Sequence, residues 1–180
     1  MEMNLKDLFN LSGSGQQGNP NDPAILYNKG VSHLTQGEFE EAAKCFEKAL
    51  ELDPKNTKAW NNRGTSLLYM SKFDDAIKCI DRAINLDPKH AAFWYNKGIC
   101  QDRMGHLDRA IKSFEKAIEL RPRYPEAWFN KAIALETKGD KSAAIDAWKS
   151  YLNIAAKNRN QSEWKIMAID RLSKLKGEGK

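Results

Sequence analysis

A chain of 180 residues with 41% apolar and 29% charged residues is long enough to bury a core and has the balance of a soluble folded protein. The first residues lack a basic start followed by an apolar run, and no stretch approaches the roughly 18 apolar residues of a membrane span, so we expect a cytoplasmic protein. The chain has three cysteines and no secretory signal, which argues against disulfide bonds. Its three histidines are scattered and do not have the spacing of metal ligands. We therefore expect neither a metal site nor a cofactor.

The basic excess of this chain lies at its carboxyl end. The net charge is +5, and residues 157–180 hold seven Lys and Arg against three Asp and Glu. A nucleic-acid groove needs basic residues clustered along the surface that meets the phosphates. Since residues 1–156 carry only +1, nucleic-acid binding is not favoured.

The amino-terminal segment is predicted to be a tail that covers residues 1–22. Residues 12–23 read SGSGQQGNPNDP, a composition typical of flexible linkers. Before the linker, Leu5, Leu8 and Phe9 would form a short apolar face on a helical turn or two, which is too short to be stable alone. Two interpretations stay open: a frayed tail, or a tethered peptide that docks in its own groove or in that of a neighbouring chain.

From residue 23 onward, the same residue types recur at a fixed interval along the sequence. We call this interval the period; it is the distance in residues from Asn28 to Asn62. Asparagine, tryptophan and proline each recur at this spacing, and a fixed period of this length decides the architecture. The positions are Asn28, Asn62, Asn96 and Asn130; Trp60, Trp94 and Trp128; and Pro54, Pro88 and Pro122. The period predicts four units, at residues 23–56, 57–90, 91–124 and 125–156.

This pattern resembles the tetratricopeptide repeat family, whose 34-residue unit carries Trp, Leu-Gly, Tyr, Ala, Phe and Pro at fixed offsets. The resemblance implies an all-α fold, a right-handed α-α superhelix of tandem helix-turn-helix repeats. Each unit would be two antiparallel helices, with the second helix ending near its proline. The turns within the units are expected near Gly37, Ser71, Gly105 and Gly139.

Small residues recur inside the first helix of every unit. They are Gly30, Gly64, Gly98 and Ala132. Because glycine is poor in helices, we expect it to be there to let the paired helices approach closely.

A basic residue precedes each of these small residues, where the family usually has an apolar one. The four are Lys29, Arg63, Lys97 and Lys131. We expect their aliphatic stems to pack between repeats while the charges reach the rim. Pairing with second-helix acids such as Asp74 or Asp108 is the alternative.

Residues 157–180 are predicted to form a capping helix and a basic tail. Apolar and long side chains follow helical spacing in this segment, and Ser162 is placed to be the N-cap. They are Trp164, Met167, Ala168, Arg171, Leu172 and Leu175. We expect this helix to cover the last repeat and to present lysines to water. A basic membrane-surface helix is the alternative, which Glu163 and Asp170 disfavour.

Stacked units place their first helices along a concave side, where the helical wheel puts aromatic, branched and amide side chains. The candidate peptide-binding residues are Tyr27, Asn28, Asn61, Asn62, Tyr69, Tyr95, Asn96, Ile99, Arg103, Phe129 and Asn130. Helices spaced roughly 8 to 10 Å apart would offer an amide to about every third residue of an extended peptide. An amide both donates and accepts, which suits any backbone. The alternative is that the asparagines bond between first helices and fix the stacking.

These features predict a protein-interaction module, a scaffold or adaptor that binds a partner's peptide segment in its groove. The asparagine row is similar to the ladder of O-linked N-acetylglucosamine transferases, where it holds substrate backbones. We expect no enzyme, because no nucleophile, base and orienting acid fall together in this register. The alternative is a self-assembling scaffold, a homo-oligomer in which the residues from Leu5 to Phe9 fill a neighbour's groove.

Another branch of the family clamps the terminal carboxylate of chaperone tails with Lys, Asn and Arg from three repeats. Here Tyr27 and Val31 occupy the places of the first Lys and Asn, and Ala92 and Asn96 those of the basic pair. Shifting the frame by one repeat puts Asn61, Thr65, Glu126 and Asn130 at those places, so the clamp is absent in either register. A receptor for such tails is therefore not favoured.

Overall fold

The chain folds as a row of α-helices. The computed structural model describes residues 21–156 and 162–177, and every regular element in those ranges is helical. The helices are α1 (Pro23–Thr35), α2 (Phe39–Leu52), α3 (Thr57–Tyr69), α4 (Phe73–Leu86), α5 (Ala91–Arg103), α6 (Leu107–Leu120), α7 (Pro125–Lys138), α8 (Lys141–Ala155) and α9 (Ser162–Lys176). The expected all-α solenoid of helix pairs is confirmed. None of these described helices has both the length and the apolar content to cross a bilayer.

Consecutive helices pack on each other along the whole row, and a tight turn joins the two helices of each pair. Each turn contains a residue in the left-handed region, at the four places expected. They are Gly37 (φ 78°), Ser71 (φ 59°), Gly105 (φ 76°) and Gly139 (φ 88°). Three glycines adopt this conformation without a steric penalty, whereas Ser71 adopts it with a side chain.

The first helices of the pairs, α1, α3, α5 and α7, lie on the inner side of a curve. They touch one another in turn, whereas the described second helices make no contact of that extent with each other. A stack in which one set of helices approaches more closely must curve toward that set. The first helices therefore present one face to a concave surface, as expected.

A glycine in the middle of the first helix lets it touch its second helix directly. A Cβ added to Gly98 would lie 2.5 Å from Cε1 of Phe114, and one added to Gly30 would lie 2.7 Å from Cε1 of Phe46. Such distances are shorter than van der Waals contact allows, and both rings are fully buried. The glycine is needed because the second helix places a large side chain against its bare backbone.

The tryptophan and proline of the period are joined to each other where one repeat meets the next. Each indole N–H donates to the carbonyl of the proline six residues earlier: Trp60 to Pro54 (2.9 Å), Trp94 to Pro88 (2.9 Å) and Trp128 to Pro122 (3.0 Å). The bond satisfies the donor of a large ring that packs between repeats. It also ties the loop that sets the direction of the next repeat.

Three basic residues of the first helices pair with an acid on the second helix of the preceding repeat. The pairs are Arg63 with Glu47, Lys97 with Asp81 (2.7 Å) and Lys131 with Glu115 (2.9 Å). Pairing with acids of the second helices is confirmed, but Asp74 and Asp108, the acids suggested from the sequence, are not the partners, and Asp108 pairs with Lys138 instead. Asp74 and Asp108 lie in the first turn of their second helices, whereas the acids that pair with the next repeat lie further along theirs.

Helix α9 stands where the first helix of a fifth repeat would stand. Its buried Ala168 and the partly buried Leu172 and Leu175 join the core of the last repeat. Arg171 pairs with Glu136 of α7 at 2.9 Å. The helix therefore covers the last repeat and also reaches the inner side.

The outer side of α9 differs from the expected row of lysines, because it also carries Ile166 and Ile169, which are 68% and 57% exposed. Ile166 lies one period after Ala132, at the place of the close-approach glycine. That face would touch a second helix in a complete repeat, and no helix in the described part of the chain covers it. Helix α9 begins at Ser162. The side chain of Ser162 lies outside what the structure describes, and so does the N-cap expected there.

Replacing Gly98 with alanine tests the close approach. The added methyl group meets the ring of Phe114, so we expect the free energy of unfolding to fall by about 1 to 3 kcal/mol, although alanine favours helices. Urea unfolding followed by circular dichroism gives this value. Arg103→Ala, at an exposed place in the same helix, should change it by less than about 0.5 kcal/mol. A Gly98→Ala protein as stable as the original would contradict the account.

Candidate functional site

The inner face holds a cleft of about 600 Å³ between the second repeat and α9. Its lining residues are Thr65, Leu68, Tyr69, Ser71, Phe73, Tyr95, Asn96, Ile99, Arg103, Phe129, Asn130 and Trp164. Seven candidate residues lie together in it: Tyr69, Tyr95, Asn96, Ile99, Arg103, Phe129 and Asn130. The other four, Tyr27, Asn28, Asn61 and Asn62, lie on α1 and α3 and do not line it.

Two aromatic side chains stand at the cleft with much of their surface exposed. Tyr69 is 62% exposed and stacks on Phe39, with ring centroids 4.6 Å apart. Trp164 of α9 is 40% exposed, and its ring centroid lies 4.7 Å from that of Phe129. Exposed aromatic rings around a concave surface are typical of a place that another molecule covers.

Phe129 forms the floor of the cleft and is buried. Its ring meets Trp148 and Tyr151 edge-on, with centroids 5.1 and 5.3 Å away, and Trp164 lies over it. Most of the Phe129 surface is therefore used in packing. A ligand in the cleft would meet Trp164 first.

The asparagine row links the first helices to one another. Nδ2 of Asn62 donates to the Tyr27 hydroxyl at 3.2 Å, and Nδ2 of Asn130 donates to the Tyr95 hydroxyl at 3.0 Å. Asn130 also donates to the backbone carbonyl of Glu126 at 3.0 Å. Because a carbonyl only accepts, this second bond orients the amide nitrogen toward the protein and leaves the Asn130 oxygen for another donor.

The middle of the row keeps the same spacing with a different acceptor. Asn61 takes the place of tyrosine, and its Oδ1 accepts from Nδ2 of Asn96 at 2.9 Å. The Asn96 nitrogen also lies 3.4 Å from the Thr65 hydroxyl. Asn61 is buried by these contacts and donates in turn to Asn62 at 3.3 Å. The amide nitrogens of Asn62, Asn96 and Asn130 thus donate from one first helix to another, which favours the structural interpretation of these three asparagines.

Asn28 begins the row and differs from the other three members. Its side chain is exposed, and it makes no hydrogen bond to another described residue. Its counterparts reach back to the first helix of the preceding repeat, and the described residues contain no such helix before α1. Among the described residues, Asn28 is therefore the member of the row whose amide does not link two first helices.

The cleft has a positive rim at Arg103. This guanidinium is exposed, and no carboxylate in the described part of the chain forms an ion pair with it. The neighbouring carboxyl of Asp102 is half-buried, and that burial raises its pKa although the charge of Arg103 opposes the shift. Glu136, the acid at the α9 end, is already paired with Arg171. The cleft therefore has charges of both signs beside it: the exposed guanidinium of Arg103, and the carboxylate of Glu126, whose charge helps to raise the pKa of the lining residue Tyr95.

Two tyrosines that accept from the asparagine row are held in their neutral form. Burial raises the pKa of the Tyr95 hydroxyl well above its usual range, and burial also raises the pKa of Tyr27. The hydrogen bonds from Asn130 and Asn62 oppose these shifts but are the smaller effect. Both hydroxyls therefore remain protonated at neutral pH.

Five residues of the lining fall outside the candidate set: Thr65 and Leu68 of α3, Ser71, Phe73 and Trp164. The sequence pattern places Trp164 only on the covering side of the last helix. Its spacing offered a signal, because it lies one period after Asn130, at the fifth place of the asparagine row. Ser71 and Phe73 reach the cleft through the left-handed turn that begins α4, which the period of the first helices does not indicate.

The described residues contain no group of three or more side chains suited to holding a metal ion. The cysteines Cys45, Cys79 and Cys100 are free and buried, as expected of small apolar side chains. Burial raises the pKa of the Cys100 thiol to about 12. A thiol of that pKa is protonated at neutral pH and is a weak nucleophile.

Comparison with protein families agrees with the repeat architecture. Models described as tetratricopeptide repeat match residues 23–56, 45–78, 67–127 and 101–160. Among curated proteins, Protein STIP1 homolog of Dictyostelium discoideum is 56% identical over 32 residues, which are 18% of this chain and 6% of that protein. The match spans one repeat's length within a much longer relative.

Solved structures of similar fold cover most of the chain. A crystal structure of MamA is 28% identical, with a TM-score of 0.74, over 78% of this chain and 82% of that chain. The first TPR of Spaghetti (RPAP3), bound to the HSP90 peptide SRMEEVD, is 24% identical, with a TM-score of 0.64, over 69% of this chain and 99% of that chain. The second likeness is one of fold alone.

The variant Asn130→Ala tests whether the row holds the helices together. It leaves the Tyr95 hydroxyl and the Glu126 carbonyl without their amide donor, so we expect the free energy of unfolding to fall by about 1 to 3 kcal/mol. Asn28→Ala is the matched control at a place without such bonds and should cost less than about 0.5 kcal/mol. Chemical denaturation of both variants measures the difference. Equal small losses would mean that the row does not stabilise the stack.

Proposed function

This chain belongs to the tetratricopeptide repeat family, and we propose from that premise that it is an interaction module whose inner cleft binds a segment of a partner protein. The similar fold of the first TPR of Spaghetti is described with a bound peptide, which supports this kind of ligand. The particular peptide does not carry over, because Tyr27 and Val31 stand where a carboxylate clamp needs Lys and Asn. We propose binding rather than catalysis, since no nucleophile stands beside a base among the lining residues.

The observation that carries the proposal is the exposed aromatic surface beside an unpaired cation. Tyr69 and Trp164 border the cleft, and Ile99 and Leu68 add apolar surface between them. Burying one apolar side chain of a ligand there would contribute about 1.5 to 3 kcal/mol. The cleft would therefore take an apolar or aromatic side chain of the bound segment as its anchor.

Arg103 gives the cleft a preference for charge. A carboxylate placed beside the anchor would bond to the guanidinium in two parallel contacts, and bonds to charged groups contribute about 1.5 to 3 kcal/mol. The preferred segment would thus carry Asp or Glu next to its apolar anchor. A basic residue at this place would be disfavoured, because Arg103 would repel its charge.

The asparagines contribute with their oxygens in this proposal. Asn96 and Asn130 line the cleft while their amide nitrogens donate to the neighbouring helix. Their Oδ1 atoms are then suited to accept N–H groups of a bound backbone, each worth about 0.5 to 1.5 kcal/mol. Together with the anchor and the carboxylate, these bonds approach the roughly 8 kcal/mol of micromolar affinity.

A random-peptide phage library, selected on the intact protein, tests this function without a known partner. We expect selected peptides to share an apolar or aromatic residue with Asp or Glu beside it. Calorimetry with one selected peptide should show that Arg103→Glu and Tyr69→Ser each weaken binding at least about tenfold, which is 1.4 kcal/mol.

Leu86→Ser is the matched control, because Leu86 is an exposed apolar residue of α4 that does not line the cleft. It should leave the affinity unchanged. The proposal fails if Leu86→Ser weakens binding as much as the two cleft variants, or if selection yields no common pattern.

A further inference from the structure

The face of α1 that points away from the rest of the array is not covered by any helix among the described residues, whereas the same face of α3, α5 and α7 packs against the preceding second helix. We call it the front face of α1, formed by Ile25, Leu26 and Lys29. Ile25 occupies the place of Ala59, Phe93 and Ala127, each one period apart. Those three are at most 2% exposed, whereas Ile25 is 41% exposed. In the other repeats this place packs against the second helix that comes immediately before it in the chain.

The charge pattern gives a second, independent sign of a missing neighbour. Arg63, Lys97 and Lys131 each pair with an acid on the preceding second helix. Lys29 is the fourth member of this series, and it forms no ion pair with a described residue. The front face of α1 therefore offers an apolar side chain and a cation in the arrangement that elsewhere receives a second helix.

We propose that residues 1–11 of the same chain dock on the front face of α1 and take the place of a preceding second helix. In that segment Met1, Leu5, Leu8 and Phe9 fall on one side of a helical wheel. A helix of this length is not stable alone and would form on docking, where its apolar side meets Ile25.

The sequence of the segment repeats the acid and apolar spacing of the true second helices. In those helices the acid that pairs with the next repeat stands three residues before a branched apolar residue. The three cases are Glu47 and Leu50, Asp81 and Ile84, and Glu115 and Ile118. Glu2 and Leu5 have the same spacing. Glu2 is therefore the partner assigned to Lys29, and Leu5 the residue assigned to Ile25.

The tether permits this docking within one chain. Residues 12–22 join the segment to α1 and can span up to about 36 to 40 Å when extended. The 13 residues of α1 are about 20 Å long, so the segment can reach any part of the front face. A short tether also gives a high effective concentration at the nearest complementary surface.

Hydrogen exchange measured by mass spectrometry on the full chain tests the proposal. In the variant Leu5→Asp/Leu8→Asp, we expect the backbone amides of α1 to exchange at least about tenfold faster, with α5 and α7 unchanged. Met3→Asp/Asn10→Asp adds the same charge on the opposite side of the wheel and should leave α1 as it was. Unchanged exchange in α1 of the first variant would overturn the proposal.

Two further outcomes separate this docking from its rivals. Faster exchange in α5 and α7 rather than α1 would place the segment in the inner cleft and overturn the proposal. Protection of α1 that rises with protein concentration over about a hundredfold range would show docking between chains and overturn it as well. Glu2→Lys should speed exchange in α1, and adding Lys29→Glu should reverse that effect. A double variant without reversal would overturn the assigned pair.

Discussion

In each of the first three repeats, a large side chain of the second helix packs against the bare backbone of the first helix, and this contact sets the spacing of the stack. Phe46, Ile80 and Phe114 fill the space that a side chain would need at Gly30, Gly64 and Gly98. Since that contact recurs once in every period, each of these repeats has nearly the same thickness. The inner face then receives equivalent side chains at a regular spacing. The dimensions of the cleft therefore follow from how the first helices pack against the second helices on their opposite side.

Three polar links set each repeat against the one before it. Near the loop, the indole N–H of a tryptophan donates to a proline carbonyl. In the middle, a basic residue of the first helix forms an ion pair with an acid of the preceding second helix. On the inner side, the amide of an asparagine donates to a side chain 35 positions earlier. Single links of these kinds contribute only about 0.5 to 1.5 kcal/mol. These links specify how one repeat is placed on the next, because each bond requires one geometry and all three must form together. The buried apolar surface stabilises the stack, and these links fix its register.

The fold was predictable because its signals are periodic, and the site less so because its signals are not. The period, the turns at Gly37 and Ser71, and the packing of the basic stems all follow from spacing. The spacing does not predict which groups the amides of Asn96 and Asn130 contact, because the same side of a first helix borders both a neighbouring first helix and the groove. It could not place Trp164 in the cleft without knowing that α9 continues the row of first helices. The acids that pair with the basic residues depend on which helix faces the next repeat, which is a matter of tertiary packing.

The proposed binding site lies at the end of the inner face where Trp164 takes the place of the asparagine. The five tryptophans make this measurable by the indole N–H signals of the ¹⁵N-labelled protein. As a selected peptide is added, we expect the Trp164 signal to move. The signals of Trp60 and Trp94, which are bonded to proline carbonyls away from the cleft, should stay in place. Movement of those two signals with Trp164 unchanged would contradict the account.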